Sequence, residues 1–280
     1  MAKLKYFLLT KSLGFYLNIL VYIFPKKAQT LSYTLFSTPR KGKLQKDKLP
    51  SFLKNHVSEQ LIYNNYTIQT YTWKGTTDVI LLVHGWESNT SRWEKALPFL
   101  LTTGKTIIAI DAPAHGLTSG TEFNVPIYTE IIQVAINKFK PYAIIGHSIG
   151  GAAIIYNQYK YPNSNLKKIV LLGTPDEIHI ILKNYVDLLS LNAANEKLFI
   201  AYFETNFNVC ISTFAGSNFA KVILAKAMIV HDVDDNIVLF EEGKKLASAF
   251  TNSKFIETKS LGHSLHSAAI YNKIVSFIAE

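Results

Sequence analysis

The sequence has almost no cysteine: among its 280 residues, only Cys210 carries a thiol. A single cysteine excludes an intrachain disulfide and argues against a thiolate metal cluster. Charged residues are also scarce, at 18% of the chain, whereas 48% of the residues are hydrophobic. This composition excludes a disordered chain and a disulfide-based scaffold, and the length suits one large α/β domain with or without an insertion.

Acidic residues are in the minority, with 20 Asp and Glu against 29 Lys and Arg, which gives a formal net charge of +9. The lysines are scattered, and the densest basic stretches, Lys26–Lys27 and Arg40–Lys48, flank the N-terminal segment. This distribution suits an anionic membrane surface better than a nucleic-acid groove. No zinc-finger or RNA-recognition signature accompanies the charge, so we expect no nucleic-acid partner.

The N-terminal segment, residues 1–50, lacks the uninterrupted apolar run of a membrane span. It begins like a signal peptide, but Lys11 interrupts the apolar run. No small-residue cleavage site follows, because Pro25 and two lysines come next. We therefore predict an amphipathic helix followed by a basic linker over Ser37–Pro50.

Wound as a helix, this segment has a narrow polar stripe and a wide apolar face, which something must cover. The cover is either the body of the protein or a membrane surface reached through residues 1–30, and the sequence leaves both open. We expect a cytoplasmic protein, at the inner membrane face if lipid is the cover, and a body that stays folded without residues 1–30. The stripe consists of Thr10, Lys11, Gly14 and Asn18.

From Tyr66 onward, short apolar runs alternate with amphipathic segments. Near-continuous apolar strands spaced by helices predict an α/β fold with a doubly wound, mostly parallel sheet. The helix candidates are Pro126–Lys140, Gly151–Lys160 and Val238–Phe250. The strand candidates are VILLVHG, TIIAIDAP, YAIIGHS, KIVLLGTP, AMIVHD and KFIETKSLGH.

The rhythm of strands and helices is interrupted over Asp176–Ala225, which contains no strand candidate and several aromatic residues. We predict that residues 51–280 form one domain and that 176–225 is a helical cap inserted over the strand ends. Phe203 and Phe207 of this insertion are predicted to line an apolar substrate pocket.

Polar residues end nearly every strand candidate, and in such sheets functional sites gather at the carboxyl ends of strands. Ser148 is the most informative, because it lies between Gly146 and Gly150 in a G-x-S-x-G pattern. A strand that turns sharply into a helix holds such a serine exposed in a strained conformation. The alternative is a glycine-rich turn without catalysis. The other strand-end residues are His84, Asp111, Asp232, Asp234, Asp235 and His263.

Five motifs follow one another along the chain: HGW at 84–86, DAPAHG at 111–116, GHSIGG at 146–151, HDVDDNIV at 231–238 and LGH at 261–263. In this order they resemble the motifs of the α/β-hydrolases, over roughly residues 66–280. The resemblance implies that Ser148 is the nucleophile, Asp235 the acid and His263 the base of a catalytic triad. It also implies that the backbone N–H groups of Trp86 and Ile149 form the oxyanion hole.

Several assignments within the resemblance stay open. Asp232 stands where the family usually has glycine and is the alternative acid, while His266, one turn after His263, is the alternative base. The Trp86 side chain either lines the substrate pocket or packs against the cap. Asp111 and His115 are expected to brace their loop, in which Ala114 replaces the commoner glycine, and His84 is expected to be structural.

The leading hypothesis is a serine hydrolase that cleaves a carboxylic ester or thioester with an apolar acyl group, through an acyl-enzyme on Ser148. The substrate would be a small-molecule ester or a lipid-like ester, and the chemistry requires no metal or organic cofactor. Two alternatives remain: an acyltransferase that uses the same triad, and a non-catalytic, membrane-associated binding protein on a hydrolase scaffold.

Overall fold

The computed structural model describes residues 2–54 and 56–280. Met1, the first residue of the predicted N-terminal segment, and Asn55 lie outside the described residues. The chain divides into two compact units. We call Met1–Thr38 with Glu177–Ala215 the helical unit, and Pro39–Asp176 with Gly216–Glu280 the sheet unit.

The described part of the sheet unit contains eight strands in a single sheet. The strands are β1 (Val57–Tyr63), β2 (Tyr66–Trp73), β3 (Thr76–Val83), β4 (Lys105–Ile110), β5 (Ala143–His147), β6 (Lys168–Leu172), β7 (Lys226–Asp232) and β8 (Ser253–Thr258). Their order across the sheet is β1-β2-β4-β3-β5-β6-β7-β8. Strands β3 to β8 pair in parallel, while β2 pairs antiparallel with β1 and with β4.

Helices connect the parallel strands and bury apolar faces, as βαβ crossovers require. Residues of β5 and β6 are buried along their whole length, which explains why their sequences are continuous apolar runs. The predicted doubly wound, mostly parallel α/β sheet is therefore confirmed. The helices are α3 (Leu97–Leu101), α4 (Val125–Phe139), α5 (Ile149–Lys160), α8 (Gly216–Ala220), α9 (Phe240–Ala249) and α10 (Ala268–Ala279).

The antiparallel hairpin of β1 and β2 was not among the predicted strands. Its two strands meet at a tight turn in which Asn64 adopts φ 49°, a left-handed conformation that asparagine tolerates. β1 forms the edge of the sheet and only Leu61 of its residues is buried. A half-exposed edge strand keeps too few apolar residues to stand out in the sequence.

The helical unit contains α1 (Ala2–Ile23), α2 (Pro25–Ser37), α6 (Ile178–Leu189) and α7 (Ala193–Phe207). Its interior is built jointly by the N-terminal helices and the insertion after β6. Leu17 and Leu20 of α1 lie in the same buried cluster as Leu182 of α6 and Phe199 of α7. The N-terminal segment is thus part of a core, and deleting residues 1–30 would open the core of the helical unit. That the body stays folded without these residues remains a prediction for the sheet unit.

The polar stripe of α1 faces this interior. Lys11 Nζ donates to Leu188 O at 2.9 Å and to Ser190 Oγ at 2.7 Å, and Asn18 Nδ2 donates to Ser190 O at 2.9 Å. A Cβ on Gly14 would overlap the carbonyl of Leu189, so only glycine permits this approach. The helical unit therefore covers both this polar stripe and the apolar residues Leu17 and Leu20 of α1, and it leaves a second apolar face outward.

Two boundaries differ from those expected. Residues 39–50 belong to the sheet unit, because Gly42 O accepts from Gly116 N at 2.8 Å and Leu44 N donates to Gly116 O at 3.0 Å. Residues 216–225 also belong to it, because Ser217 Oγ donates to Asp176 Oδ2 at 2.8 Å. The insertion in the helical unit is therefore 177–215 and not 176–225.

One helix in the described chain, over Leu4–Ile23, is long and apolar enough to cross a membrane by length and composition. A signal sequence or the core helix of a soluble protein can satisfy the same criterion, so this finding alone is weak evidence.

Candidate active site

Ser148 stands at the turn between β5 and α5. Its backbone has φ 53° and ψ −131°, a conformation that non-glycine residues rarely adopt. The turn leaves the serine partly exposed between residues that are buried. This geometry is the nucleophile elbow that the sequence predicts, in which the strain is held by the strand before and the helix after the serine.

The glycines on either side of Ser148 are required by close contacts. A Cβ on Gly150 would overlap the carbonyl oxygen of His84, and a Cβ on Gly146 would lie 2.7 Å from Gly151 Cα. Each added Cβ would lie closer to its neighbour than any normal van der Waals separation, so a larger residue at either glycine would distort the turn.

The amides proposed for the oxyanion hole lie on two turns that meet at Ser148. Ile149 N begins α5, and the turn after β3 brings Gly85 so near that a Cβ on it would lie 3.0 Å from Ser148 Cβ. Neither Ile149 N nor Trp86 N donates to an acceptor within the part of the chain that the structure describes. Two free amides beside a serine can stabilise a developing oxyanion.

Asp235 and His263 are in direct contact. His263 Nδ1 and Asp235 Oδ2 are 2.7 Å apart, and the other carboxylate oxygen accepts from Ile237 N at 2.8 Å and Val238 N at 3.0 Å. Because a carboxylate can only accept, Nδ1 of His263 carries the proton and Nε2 is free to act as a base. The arrangement is that of an acid orienting a catalytic histidine.

The charge of Asp235 is stabilised where it lies. Burial alone would raise its pKa, but the hydrogen bonds from His263 and from the amides of Val238 and Ile237 outweigh burial and lower the pKa. Asp235 is therefore ionised at neutral pH and can stabilise an imidazolium that forms on His263.

Asp232, the alternative acid, does not reach His263. Its Oδ2 accepts from Thr258 Oγ1 at 2.7 Å and from Leu261 N at 3.0 Å. Burial alone would raise the pKa of Asp232, but these hydrogen bonds outweigh it and lower the pKa. Asp232 thus fixes the loop that leads from β8 to His263.

His266, the alternative base, is turned toward another partner. Its Nδ1 lies 2.5 Å from the hydroxyl of Tyr271. Burial, together with the positive charges of Arg92 and Lys95, lowers the pKa of His266 to about 4. Its contact is with α10 and not with either candidate acid.

His147, the residue directly before Ser148, contributes to the site and was not singled out from the sequence. It is buried, and its Nε2 donates to the backbone oxygen of His263 at 2.9 Å. The two imidazole rings lie 4.8 Å apart between centroids. Its position inside the G-x-S-x-G motif is the signal that could have identified it.

Two further contacts place the His263 loop, and neither has a local signal in the sequence. Arg92 Nη2 donates to Ser264 O at 2.7 Å, across 172 residues of chain. His263 also lies against Gly173, where a Cβ would be 3.3 Å from its Nδ1. Ser148 N donates at 2.8 Å to the backbone oxygen of Leu172, the residue before Gly173. The end of β6 therefore contacts both Ser148 and His263.

The residues expected to brace the site do so. Buried Asp111 accepts from Tyr71 Oη and Thr90 Oγ1, each at 2.8 Å. His115 Nε2 accepts from Glu87 N at 2.9 Å. His84 Nδ1 donates to Gly85 O at 2.7 Å, and its Nε2 accepts from Ala112 N at 2.9 Å, so both ring nitrogens are occupied in structural bonds.

The three side chains predicted to line a substrate pocket have different surroundings. Trp86 is partly exposed, and its ring packs 5.3 Å from that of Phe123 between centroids. Phe203 is buried inside the helical unit, where it contacts Phe36 and Phe199 edge-on, so packing occupies it. Phe207 is partly exposed and packs 6.0 Å from Tyr33 between centroids, within the same unit.

Within residues 2–54 and 56–280, no three His, Cys, Asp or Glu side chains come together as a group suited to a metal ion.

Comparison with known proteins agrees with the fold. The family model of the alpha/beta hydrolase fold matches residues 78–208. A bifunctional esterase/perhydrolase of Acinetobacter calcoaceticus is 22% identical over 244 residues, covering 67% of this chain and 85% of that protein. A serine hydrolase-like protein of Danio rerio is 33% identical over 101 residues, covering 34% of this chain and 30% of the relative, so this chain matches under a third of that relative's length.

Among solved structures, Est1E from Butyrivibrio proteoclasticus with bound ferulic acid superposes with a TM-score of 0.65. The two share 15% identity, and the match covers 79% of this chain and 97% of Est1E, which establishes a common fold. The topology, the match to the family model and the solved structures show that the chain has the α/β-hydrolase fold. The relatives that it matches are named as a serine hydrolase-like protein and as an esterase/perhydrolase.

Proposed function

We propose that the protein is a serine hydrolase that cleaves a carboxylic ester or thioester through an acyl-enzyme on Ser148. The observation that carries the proposal is the contact of His263 with Asp235 at 2.7 Å, beside a strained and partly exposed serine. The serine hydrolase and esterase names of the relatives support the same class of reaction.

In the proposed mechanism, Ser148 Oγ attacks the acyl carbon while His263 Nε2 takes the hydroxyl proton. The amides of Trp86 and Ile149 donate to the oxyanion of the tetrahedral intermediate. His263 then returns the proton to the departing alcohol or thiol, which leaves an ester on Ser148. A water molecule, deprotonated by His263, attacks this ester. His263 then gives that proton to Ser148 Oγ as the bond between Oγ and the acyl carbon breaks and the acid leaves.

An apolar acyl group is the proposed substrate feature. Trp86 supports it, because its ring is partly exposed and its own backbone amide is one of the two proposed oxyanion donors. Phe203 is buried by packing within the helical unit, so the proposal for an apolar acyl group rests on Trp86.

The proposal is tested with p-nitrophenyl esters of increasing acyl length, using wild-type protein and Ser148→Ala in parallel. We expect turnover in the wild type and a loss of several orders of magnitude in Ser148→Ala. The double variant Ser148→Ala/His263→Ala should lose little more, because the two residues act as one unit. Labelling by a fluorophosphonate that Ser148→Ala abolishes gives a second readout, since only an activated serine reacts.

Absence of labelling and of turnover in folded wild-type protein would refute the enzymatic proposal and favour a binding protein. Transfer of the acyl group to an added alcohol, in preference to water, would instead identify an acyltransferase with the same nucleophile.

A further inference from the structure

The outward face of α1 carries large apolar side chains in regular order. Leu8, Phe15, Ile19 and Tyr22 succeed each other at helical spacings and share one face. Between 46% and 74% of each of these side chains is exposed. A surface helix normally turns its apolar residues toward the core, whereas α1 has a second apolar face that no part of the described chain, residues 2–54 and 56–280, covers.

The outward orientation of this face is fixed by contacts on the inner side and on one flank of the helix. Lys11 and Asn18 hydrogen-bond to the connection between α6 and α7, and Leu17 between them is fully buried. Asn18 Oδ1 also accepts from Asn192 N at 2.8 Å. Turning the apolar face inward would break these bonds and bury Lys11, which is costly without a partner.

The charges around α1 specify the partner. The first acidic residue of the sequence is Asp47, so the whole stretch before it carries only basic charges. Lys5 near the start of α1, and Lys26 and Lys27 just after its end, are exposed. Cations at both ends of an exposed apolar face complement a surface that is anionic outside and apolar within, which is the cytoplasmic leaflet of a membrane.

We propose that α1 lies in the plane of an anionic bilayer, with its outward face among the acyl chains and its flanking lysines at the headgroups. A spanning orientation would place Lys11 and Asn18, both in the middle part of the helix, away from their partners and in hydrocarbon. An in-plane orientation keeps every bond to the helical unit. The inference concerns attachment to lipid and is independent of the proposed hydrolase activity.

The first experiment measures sedimentation of the full chain with vesicles of phosphatidylcholine containing phosphatidylglycerol, and with vesicles of phosphatidylcholine alone. The test variant replaces Leu8, Phe15, Ile19 and Tyr22 by Ser. We expect the wild type to bind the anionic vesicles more tightly, and the variant to bind on the order of 100-fold more weakly. The control is Ile62→Ser, which removes an equally exposed apolar side chain from β1 and should bind as the wild type does.

Circular dichroism and thermal unfolding establish that the variants are folded, which their exposed positions favour. Equal sedimentation of the wild type and the test variant would overturn the proposal. So would a lipid-free dimer that the test variant converts to a monomer, because a second copy would then cover the face. Ser148→Ala protein can be used throughout, so failure of the hydrolase proposal would leave these readouts unchanged.

The second experiment measures depth. Because Cys210 is the only cysteine of the sequence, a Cys210→Ser background allows one label at a time at Leu8→Cys, Phe15→Cys or Tyr22→Cys. A polarity-sensitive dye at each position is quenched with nitroxide lipids labelled at known depths. Similar shallow depths at all three positions are the expected result. A deep Phe15 label between two shallow ones would show a spanning helix and overturn the in-plane arrangement.

Discussion

Replacing Asp235 by Asn changes the proton position on His263 while preserving nearly all packing. In the wild type, one carboxylate oxygen accepts from Ile237 N at 2.8 Å and Val238 N at 3.0 Å, and the other contacts His263 Nδ1 at 2.7 Å. The asparagine oxygen must stay with the two amides, so its NH₂ group faces His263. Nδ1 must then accept, and the proton moves to Nε2, where it blocks removal of the Ser148 proton.

A tautomer change of this kind lowers kcat by about 10⁴, which corresponds to about 5.5 kcal/mol of transition-state stabilisation. The matched control is Asp232→Asn, which alters a buried carboxylate three residues away that bonds to Thr258 and Leu261. We expect this control to lose about 1–3 kcal/mol of stability and less than about tenfold in kcat.

The assay is kcat on one activated ester at pH 8, with urea unfolding of each variant. Near-normal turnover in Asp235→Asn, together with loss of turnover in folded Asp232→Asn, would refute the reasoning and make Asp232 the acid.

Three further predictions concern residues around the site. His147→Phe keeps a ring beside His263 but removes the hydrogen bond that His147 donates to the backbone oxygen of His263. We expect kcat to fall about tenfold with KM little changed. An unchanged kcat would show that this bond does not position His263. Ala114→Gly should raise the free energy of unfolding by about 1 kcal/mol in urea denaturation, because Ala114 adopts φ 62°, and a lower value would contradict that strain. Stability should fall with acidification, because burial lowers the pKa of His84 and of His115 to about 4 from the usual 6.5. Below pH 6.5 the unfolded chain therefore binds protons that the folded chain does not bind. Each of these two histidines should lower the free energy of unfolding by about 1.4 kcal/mol per pH unit between pH 6.5 and 4. Urea midpoints that do not change between pH 7 and pH 5 would contradict this.

The parallel sheet could be predicted because its signals are local. Each of the strands β3 to β7 contains an apolar run that ends in a turn motif, and the elbow at Ser148 is set by two glycines within two residues of it. Asp235 and His263 could be paired by family spacing after β7 and β8, and the structure brings them into contact, although their catalytic roles stay predictions.

The helical unit could not be predicted, because its determining contacts join distant parts of the chain. The polar stripe of α1 was visible in the sequence, but its partner at Ser190 lies 172 residues beyond Asn18. Without that partner, nothing indicates which side of α1 turns inward. Phe203 illustrates the same limit, since its burial against Phe36 depends on α2 joining the insertion.

The shared core of α1, α2 and the insertion also has a consequence for synthesis on the ribosome. The first 38 residues emerge long before their partners at 177–215, and about 140 residues of the sheet unit must be translated between them. At typical elongation rates this interval lasts roughly 7–30 s. During it, both the inner and the outer apolar surfaces of α1 are unpaired. The proposed attachment to lipid would shield the outer surface in this interval, and it would then begin before translation ends.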